Sequence, residues 1–352
     1  MSSAGLADRL ASRVLELVNV PSESRSEAAL AAHVLSVLPD ARDAGDSCIL
    51  AGTTARGDRP LILLAGHLDT VPAQGNLPGQ LEDGVVYGLG AADMKAALGV
   101  MVELALTSLP AATVDVGFVF FGREELPFGD SALTPLLARE PGLREADLVV
   151  VMEPTDNALH AGCVGNVNAT WTFRGTAGHS ARPWLADNAI HRAGRGIAEL
   201  AALQPVDHEF AGLTFREVIS AVTIRGGVAR NVVPDECVVE INMRYAPGTS
   251  AADAEARLRA LCEPHGELTI DGNAPSGAVP EGNVLVSRLI EAGGLETAPK
   301  QAWTPVAEFA AAGVDAINFG PGAPRFAHRR DEQVEAAALV SSYETLVRFL
   351  CA

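Results

Sequence analysis

The chain has 352 residues, 48% of them apolar, and its 26 Lys plus Arg stand against 44 Asp plus Glu for a formal net charge of −18. That length exceeds what a single core usually fills, which points to two domains, and the apolar content excludes wholesale disorder. So acidic a surface repels phosphate backbones and no Lys/Arg cluster interrupts it, which argues against nucleic acid as a partner and leaves divalent cations as a better match.

The opening segment, "MSSAGLADRLASRVLELV", carries Asp8 and Glu16 and lacks the continuous apolar stretch of a signal peptide. No window is apolar for long enough to suggest a membrane span. The five cysteines (Cys48, Cys163, Cys237, Cys262, Cys351) are scattered and form no CxxC, as expected of buried thiols in a cytoplasmic protein.

In chain order, residues 6–18 and 26–38 place apolar side chains at helical spacing. "PLILLAGH" (60–67), "VDVGFVFFG" (114–122) and "ADLVVVME" (146–153) are nearly continuous apolar runs, the pattern of strands buried on both faces. An apolar helix over 94–109 separates the first two. Alternating strands and helices predict an α/β domain with a mainly parallel sheet flanked by helices, whose ligands gather beyond the carboxyl ends of the strands.

From about residue 164 the texture changes. Strands are expected at 166–175, 216–227, 236–246 and 266–272, with helices at 187–203 and 250–262, an order that predicts one antiparallel sheet with two helices on one face. A helix near 283–293, a short strand at 315–320 and a closing helix near 331–350 return to the α/β pattern. The expected organisation is a discontinuous catalytic domain, 1–164 and 278–352, holding an inserted α+β, ferredoxin-like domain over 165–277.

Each buried strand of the first domain finishes on ligand-type residues. His67 and Asp69 follow the first, Glu124 and Glu125 the second, and Glu153 the third, while Asp93 precedes a helix and His328 follows the last strand. A histidine closing one strand means little, and the HxD and EE pairs are weak taken singly. The convergence of His67, Asp93, Glu125 and Glu153 on one sheet edge is what carries the argument. Imidazole and carboxylate donors suit Zn²⁺, Mn²⁺ or Co²⁺ without thiolate, and two His with three carboxylates are about right for two ions sharing a bridging carboxylate. "GLGAAD" (88–93) has no third glycine and no following Lys-Ser/Thr, so it does not read as a nucleotide loop.

Together, "GHLDTVP", "GLGAADMK", "GREE", "MEPT", "GTAGHSARP" and "FGPGAPRFAHRRDE" resemble the M20 family of co-catalytic metallohydrolases over roughly residues 60–335. The stretches "HAGCVGN", "RGGVARNVVPDE" and "WTPVAEF" resemble its desuccinylase branch. The resemblance implies one ion on His67 and Glu153, the other on Glu125 and His328, and Asp93 bridging. It implies that Asp69 accepts the remaining ring N–H of His67, and that Glu124 is the general base, passing a proton from the attacking water to the departing amine. It also implies a homodimer through the inserted domain, which acts as a lid, with His179 stabilising the oxyanion in the partner's site. Asn231, Arg244, Thr304 and Asn318 match substrate-contacting positions.

The implied cofactor is a pair of divalent ions, zinc first, with cobalt and manganese open. The implied reaction is hydrolysis of N-succinyl-LL-2,6-diaminopimelate, a small-molecule N-acyl amino acid, to succinate and LL-2,6-diaminopimelate. N-acetylornithine, other N-acyl amino acids and C-terminal dipeptides remain open as substrates, as does an inactive metal-binding relative. Pro305, Glu308 and Ala323 depart from the desuccinylase pattern, and Ala91 and Ala92 stand where Ser or Thr is favoured. Glu308 in place of a basic residue would repel a substrate carboxylate if it faced the pocket.

Overall fold

The computed structural model describes residues 3–352, which divide into two compact units. The first runs up to Gly162 and resumes over Ala278–Lys300 and Thr304–Ala352; the second comprises Cys163–Gly277 with Gln301–Trp303.

The first unit is built on an eight-stranded sheet. Four neighbouring strands, Asp115–Phe121, Leu61–His67, Leu148–Val151 and Ala316–Asn318, are parallel and form its centre. Every side chain of Leu61–His67 and Leu148–Val151 is buried, which is why these strands read as unbroken apolar runs instead of alternating ones. Antiparallel strands extend the sheet on both sides: the Arg42–Gly45/Cys48–Gly52 hairpin beyond Asp115–Phe121, and Leu159–Ala161 beyond Ala316–Asn318. The sheet is therefore mostly parallel with an antiparallel margin that the apolar runs do not announce. Helices Ser3–Val18, Lys95–Ala105 and Ala336–Cys351 form one packed group against it, and Lys95–Ala105 is buried almost throughout.

The second unit has the order strand–helix–strand–strand–helix–strand: Gly165–Arg174, Ala189–Ala202, Leu213–Gly226, Glu236–Tyr245, Ala251–Cys262 and Glu267–Ala274. All its sheet pairings are antiparallel, with Glu236–Tyr245 and Glu267–Ala274 flanking Gly165–Arg174. Gly165–Arg174 alternates along its length. Val167, Ala169, Trp171 and Phe173 face the core with Ala193 and Leu200 of one helix and Leu258 and Cys262 of the other. Both helices thus cover a single face, as period-two strands and amphipathic helices require. Asn188 and Ser250 cap the two helices, accepting backbone N–H bonds through their side-chain oxygens. An additional strand, Val206–Phe210, pairs only with the first part of Leu213–Gly226. The two ends of the unit meet in a bridge: Cys163 donates its N–H to the Gly277 carbonyl at 3.1 Å, and Gly277 returns one to Cys163 at 3.0 Å.

Among the described residues, no helix is long and apolar enough to cross a membrane.

Candidate metal centre

Parallel pairing sets His67 beside Phe121 and Ala65 beside Val151, so the chain leaves these strands at one common edge of the sheet. His67 is the last residue of its strand, Glu124 and Glu125 lie just past Phe121, and Glu153 lies just past Val151. Asp93 arrives at the start of the Lys95–Ala105 helix, and His328 follows the single turn Pro324–Phe326. The sheet thus collects six candidate donors that the sequence spreads over more than two thirds of its length.

The Asp93 carboxylate faces two ways. Its Oδ1 lies 3.2 Å from His67 Nε2, and its Oδ2 lies 3.4 Å from His328 Nε2. Glu153 Oε1 stands 3.9 Å from His67 Nε2 on the first side, and Glu125 Oε1 stands 3.0 Å from His328 Nε2 on the second. Donor atoms of Asp93, Glu125 and His328 fall within 4.8 Å of one another, and so do those of His67, Glu124 and Glu125. Glu124, expected as a base, therefore lies as close to the cluster as a ligand does. Glu153 Oε1 is buried and has no hydrogen-bond partner, an expensive arrangement unless a cation meets it. Hard oxygen and imidazole donors, a carboxylate with one oxygen on each side, and an orphaned buried carboxylate oxygen all fit a pair of divalent ions.

The electrostatics agree with that fit. Burial, then Glu153, hold the Glu124 carboxyl well above its usual range. Burial and Asp93 push Glu153 up to about 7. Bonds to Asp93 and Glu125 raise the His328 imidazole to about 11. Burial works against both, yet the carboxylates around His67 raise its pKa and the two imidazoles hold the Asp93 carboxyl far below its usual range. Five carboxyl groups, Asp69, Asp93, Glu124, Glu125 and Glu153, stand against two imidazoles, a donor set that divalent cations neutralise.

Asp69 approaches His67 through its backbone more closely than through its carboxylate. The Nδ1 of His67 bonds the Asp69 backbone carbonyl at 2.9 Å, while the carboxylate remains 3.6 Å away. That carboxylate accepts the backbone N–H groups of Glu124 at 2.9 Å and Glu125 at 3.0 Å, and the Ser24 hydroxyl at 2.8 Å. The backbone of Asp69 orients the imidazole, and its side chain anchors the turn that presents Glu124 and Glu125. Both are possible because Asp69 lies just past the strand end, with its own carbonyl turned to the ring and its carboxylate turned to the Glu124 and Glu125 amides.

Thr304 and Asn318 are fully buried in the first unit. Asn318 ends its strand, and its amide donates to the His160 carbonyl at 3.2 Å, tying the margin of the sheet together. Glu308 is 3% exposed and accepts from the Ser131 hydroxyl at 2.9 Å and from the Thr134 N–H and hydroxyl at 3.0 and 2.7 Å. It is a structural carboxylate holding the start of the Leu133–Arg139 helix, so the expected repulsion of a substrate has no basis at this position. Pro305 caps the Val306–Ala311 helix, and Ala323 is buried. His179, Asn231 and Arg244 belong to the second unit. His179 pairs with Val232 in a two-stranded ribbon, where its Nδ1 accepts the Ala181 N–H at 3.1 Å, and the Asn231 carbonyl accepts the Ser180 N–H at 3.0 Å. Arg244 donates from Nε to Asn242 Oδ1 at 2.9 Å, and burial lowers its pKa.

Sequence reasoning missed Glu332 and Lys95, both buried beside the Asp93 turn. The available signal was spacing: an acid four residues past His328 in "HRRDE" and a lysine two past Asp93 in "DMK".

Comparison with known proteins agrees in sequence and in fold. A Mycobacterium tuberculosis protein provisionally named succinyl-diaminopimelate desuccinylase DapE is 38% identical over 340 residues, covering 95% of this chain and 96% of that one. The succinyl-diaminopimelate desuccinylase of Corynebacterium glutamicum is 35% identical over 346 residues, 93% of this chain and 94% of its own. In fold, the aminopeptidase PepT of Bacillus cereus matches with a TM-score of 0.80 over 98% of each chain, at 19% identity. The description of peptidase family M20/M25/M40 matches residues 63–352, from the strand that delivers His67 to the closing helix, and the chain belongs to that family of hydrolases.

Proposed function

We propose that this chain hydrolyses the amide bond of an N-acyl amino acid, with N-succinyl-LL-2,6-diaminopimelate as substrate and succinate and LL-2,6-diaminopimelate as products. The observation that carries the hydrolytic reading is the two-sided Asp93 carboxylate, with His67 on one oxygen and His328 on the other. The choice of acyl group is supported by likeness to relatives named succinyl-diaminopimelate desuccinylases. His67 and Glu153 would hold one divalent ion, Glu125 and His328 the other, and Asp93 both; zinc is the first choice, before cobalt and manganese. Bound there, the ions would supply the Lewis acidity that polarises the scissile carbonyl and makes water nucleophilic near neutral pH.

The remaining work falls to the protein. Glu124 takes the proton of the attacking water and delivers it to the amine nitrogen as the C–N bond breaks, a role that suits a carboxyl whose pKa burial has raised. Asp69 holds the Glu124 amide, and so the base, at a fixed distance from His67. Of the positions expected to contact substrate, Thr304 and Asn318 are enclosed in the first unit, whereas Asn231 and Arg244 of the second are open to one, with the Arg244 guanidinium suited to a carboxylate. We infer a homodimer through the second unit, with His179 serving the oxyanion across it. Support comes from the far half of Leu213–Gly226, which has no strand on its outer side among the described residues and leaves Val222 57% and Ile224 55% exposed.

The test is turnover of N-succinyl-LL-2,6-diaminopimelate by zinc-loaded protein, beside N-acetylornithine and simple N-acyl amino acids. The succinyl substrate should lead, and chelation should abolish its hydrolysis. Preference for another acyl group would overturn the substrate, and hydrolysis that survives complete metal removal would overturn the centre.

A further inference from the structure

The metal pair needs more than donors at the right height on the sheet. Asp93 turns one carboxylate oxygen toward each imidazole, so an error in its backbone would be felt at both ions at once, and catalytic constellations tolerate roughly 0.5 Å of such error. Its own turn is rich in glycine. Gly88 and Gly90 adopt φ of +143° and +80°, conformations that only glycine takes without strain, and glycine loses the most entropy on being fixed. A side chain at Gly90 would also come within 3.1 Å of Thr70 and Lys95, so the turn is both flexible by composition and tightly enclosed.

Beside the turn's own bonds, from the Ala91 N–H to the Gly88 carbonyl at 3.1 Å and from the Lys95 N–H to the Gly90 carbonyl at 2.7 Å, one carboxylate holds it from outside. Glu332 Oε2 accepts the Gly90 N–H at 2.8 Å, and Oε1 accepts the N–H groups of Ala92 and Asp93, each at 2.9 Å. The Glu332 backbone carbonyl accepts a fourth, from Gly88, at 3.0 Å. Glu332 is 2% exposed, so each of these bonds forms out of water, and the buried Lys95 lies near enough to offset its charge. Glu332 also sits one helical-turn's length of chain after His328, the other ligand that Asp93 faces.

We propose that Glu332 is a positioning residue for the metal pair: by clamping the Gly88–Asp93 turn to the segment that carries His328, it holds the two-sided Asp93 carboxylate where both ions require it. The inference rests on the two-ion reading given above. It assigns Glu332 no contact with metal or substrate. Glu332→Gln keeps the shape but replaces one acceptor by an NH₂ that must face a backbone N–H, which leaves that donor unpaired and displaces the turn.

Calorimetric titration of chelator-stripped protein with Zn²⁺ tests this, in wild type, E332Q, E332D and E103Q, with the circular dichroism and melting temperature of each apoprotein recorded. Glu103 is the control: a buried carboxylate of the same unit, paired with Arg9 and Arg13 instead of the Asp93 turn. Wild type should take up two ions. E332Q should bind at least one of them about 10–100-fold more weakly, the range for losing a group that supports metal ligands, with its apo secondary structure intact. E332D, too short to reach all three amides, should move the same way and decides the matter if E332Q does not fold. E103Q should lose melting temperature and keep wild-type zinc affinity. Wild-type affinity for both ions in E332Q and E332D would overturn the inference, as would equal weakening in E103Q. Failure of both Glu332 variants to fold would also overturn it, by making Glu332 a folding residue. Wild type that binds no zinc pair would overturn the two-ion reading, and the inference with it.

Discussion

The two units treat buried polarity in opposite ways. In the first, carboxylates turn inward at the carboxyl edge of a parallel sheet, where Asp69, Asp93, Glu124, Glu125 and Glu153 gather near two imidazoles and Glu332 lies buried against the Asp93 turn. In the second, the core is Trp171, Phe173, Ile241, Met243 and Tyr245, and the polar side chains of Gly165–Arg174 (Asn166, Asn168, Thr170 and Thr172) take the opposite face. Trp171 packs against Phe173 with ring centroids 4.5 Å apart and planes tilted by 52°, and its indole N–H finds the Cys262 carbonyl at 3.0 Å. The contrast shows where each unit draws its stability. Packing suffices for the second, while the first holds charges whose desolvation only partners can offset.

That contrast can be broken in four places. Glu124→Gln should lower kcat by about 10³-fold, within the usual range for general-base catalysis, and leave bound zinc unchanged by elemental analysis. Unaltered turnover would remove Glu124 as the base. Trp171→Ala should destabilise the second unit by about 3–5 kcal/mol, visible as an earlier unfolding transition, with zinc uptake by the first unit retained. Loss of both together would mean that the units do not draw on separate sources.

Glu308→Ala should cost about 1–3 kcal/mol in thermal or denaturant unfolding, because it strands the Ser131 hydroxyl and the Thr134 N–H and hydroxyl in the interior. A gain in hydrolysis of the succinyl substrate without loss of stability would return Glu308 to the binding pocket. The smallest effect concerns acid. Burial and then Lys300 lower the His160 imidazole to about 4, so as pH falls from 6.5 towards 4 the unfolded chain takes up this proton before the folded one does. Stability should therefore decline across that window, and His160→Gln should flatten the decline in unfolding measured at fixed ionic strength.

Much of this was legible in the sequence because it rests on patterns with a fixed period. The buried strands at Leu61–His67, Asp115–Phe121 and Leu148–Val151 follow from unbroken apolar runs, and the βαββαβ order of the second unit from alternation and amphipathic helices. The Arg42–Gly52 hairpin was not legible. Its short strands lack a long apolar run, and its turn depends on Asp46 and Ser47 at φ near +60°, a conformation that composition alone does not announce. Val206–Phe210 escaped for a related reason: a sheet-edge strand of polar residues, exposed through most of its length, has no burial pattern to display.

At the site, donor identities were legible because ligand chemistry restricts residue type, and strand ends supplied the place. The roles of Asp69 and Glu332 were not, because both act on backbone N–H groups, which every residue carries and no sequence marks. The placement of Glu308 was hidden for the same reason. A charge in place of a charge suggests a changed pocket, and only the positions of Ser131 and Thr134 reveal that this one is enclosed.

The bridge between Cys163 and Gly277 has a consequence for the architecture as a whole. Because the chain enters and leaves the second unit at adjacent points, the first unit sees the insertion as a closed loop whose length hardly matters, loop-closure entropy growing only with the logarithm of length. A short turn joining Gly162 to Ala278 would ask the first sheet to close almost the same gap, at the expense of the partners of Gln301 and Trp303, which belong to the second unit. The junction also keeps chain order from dictating assembly order, since the strand carrying Asn318 can join Leu148–Val151 whatever lies folded between them.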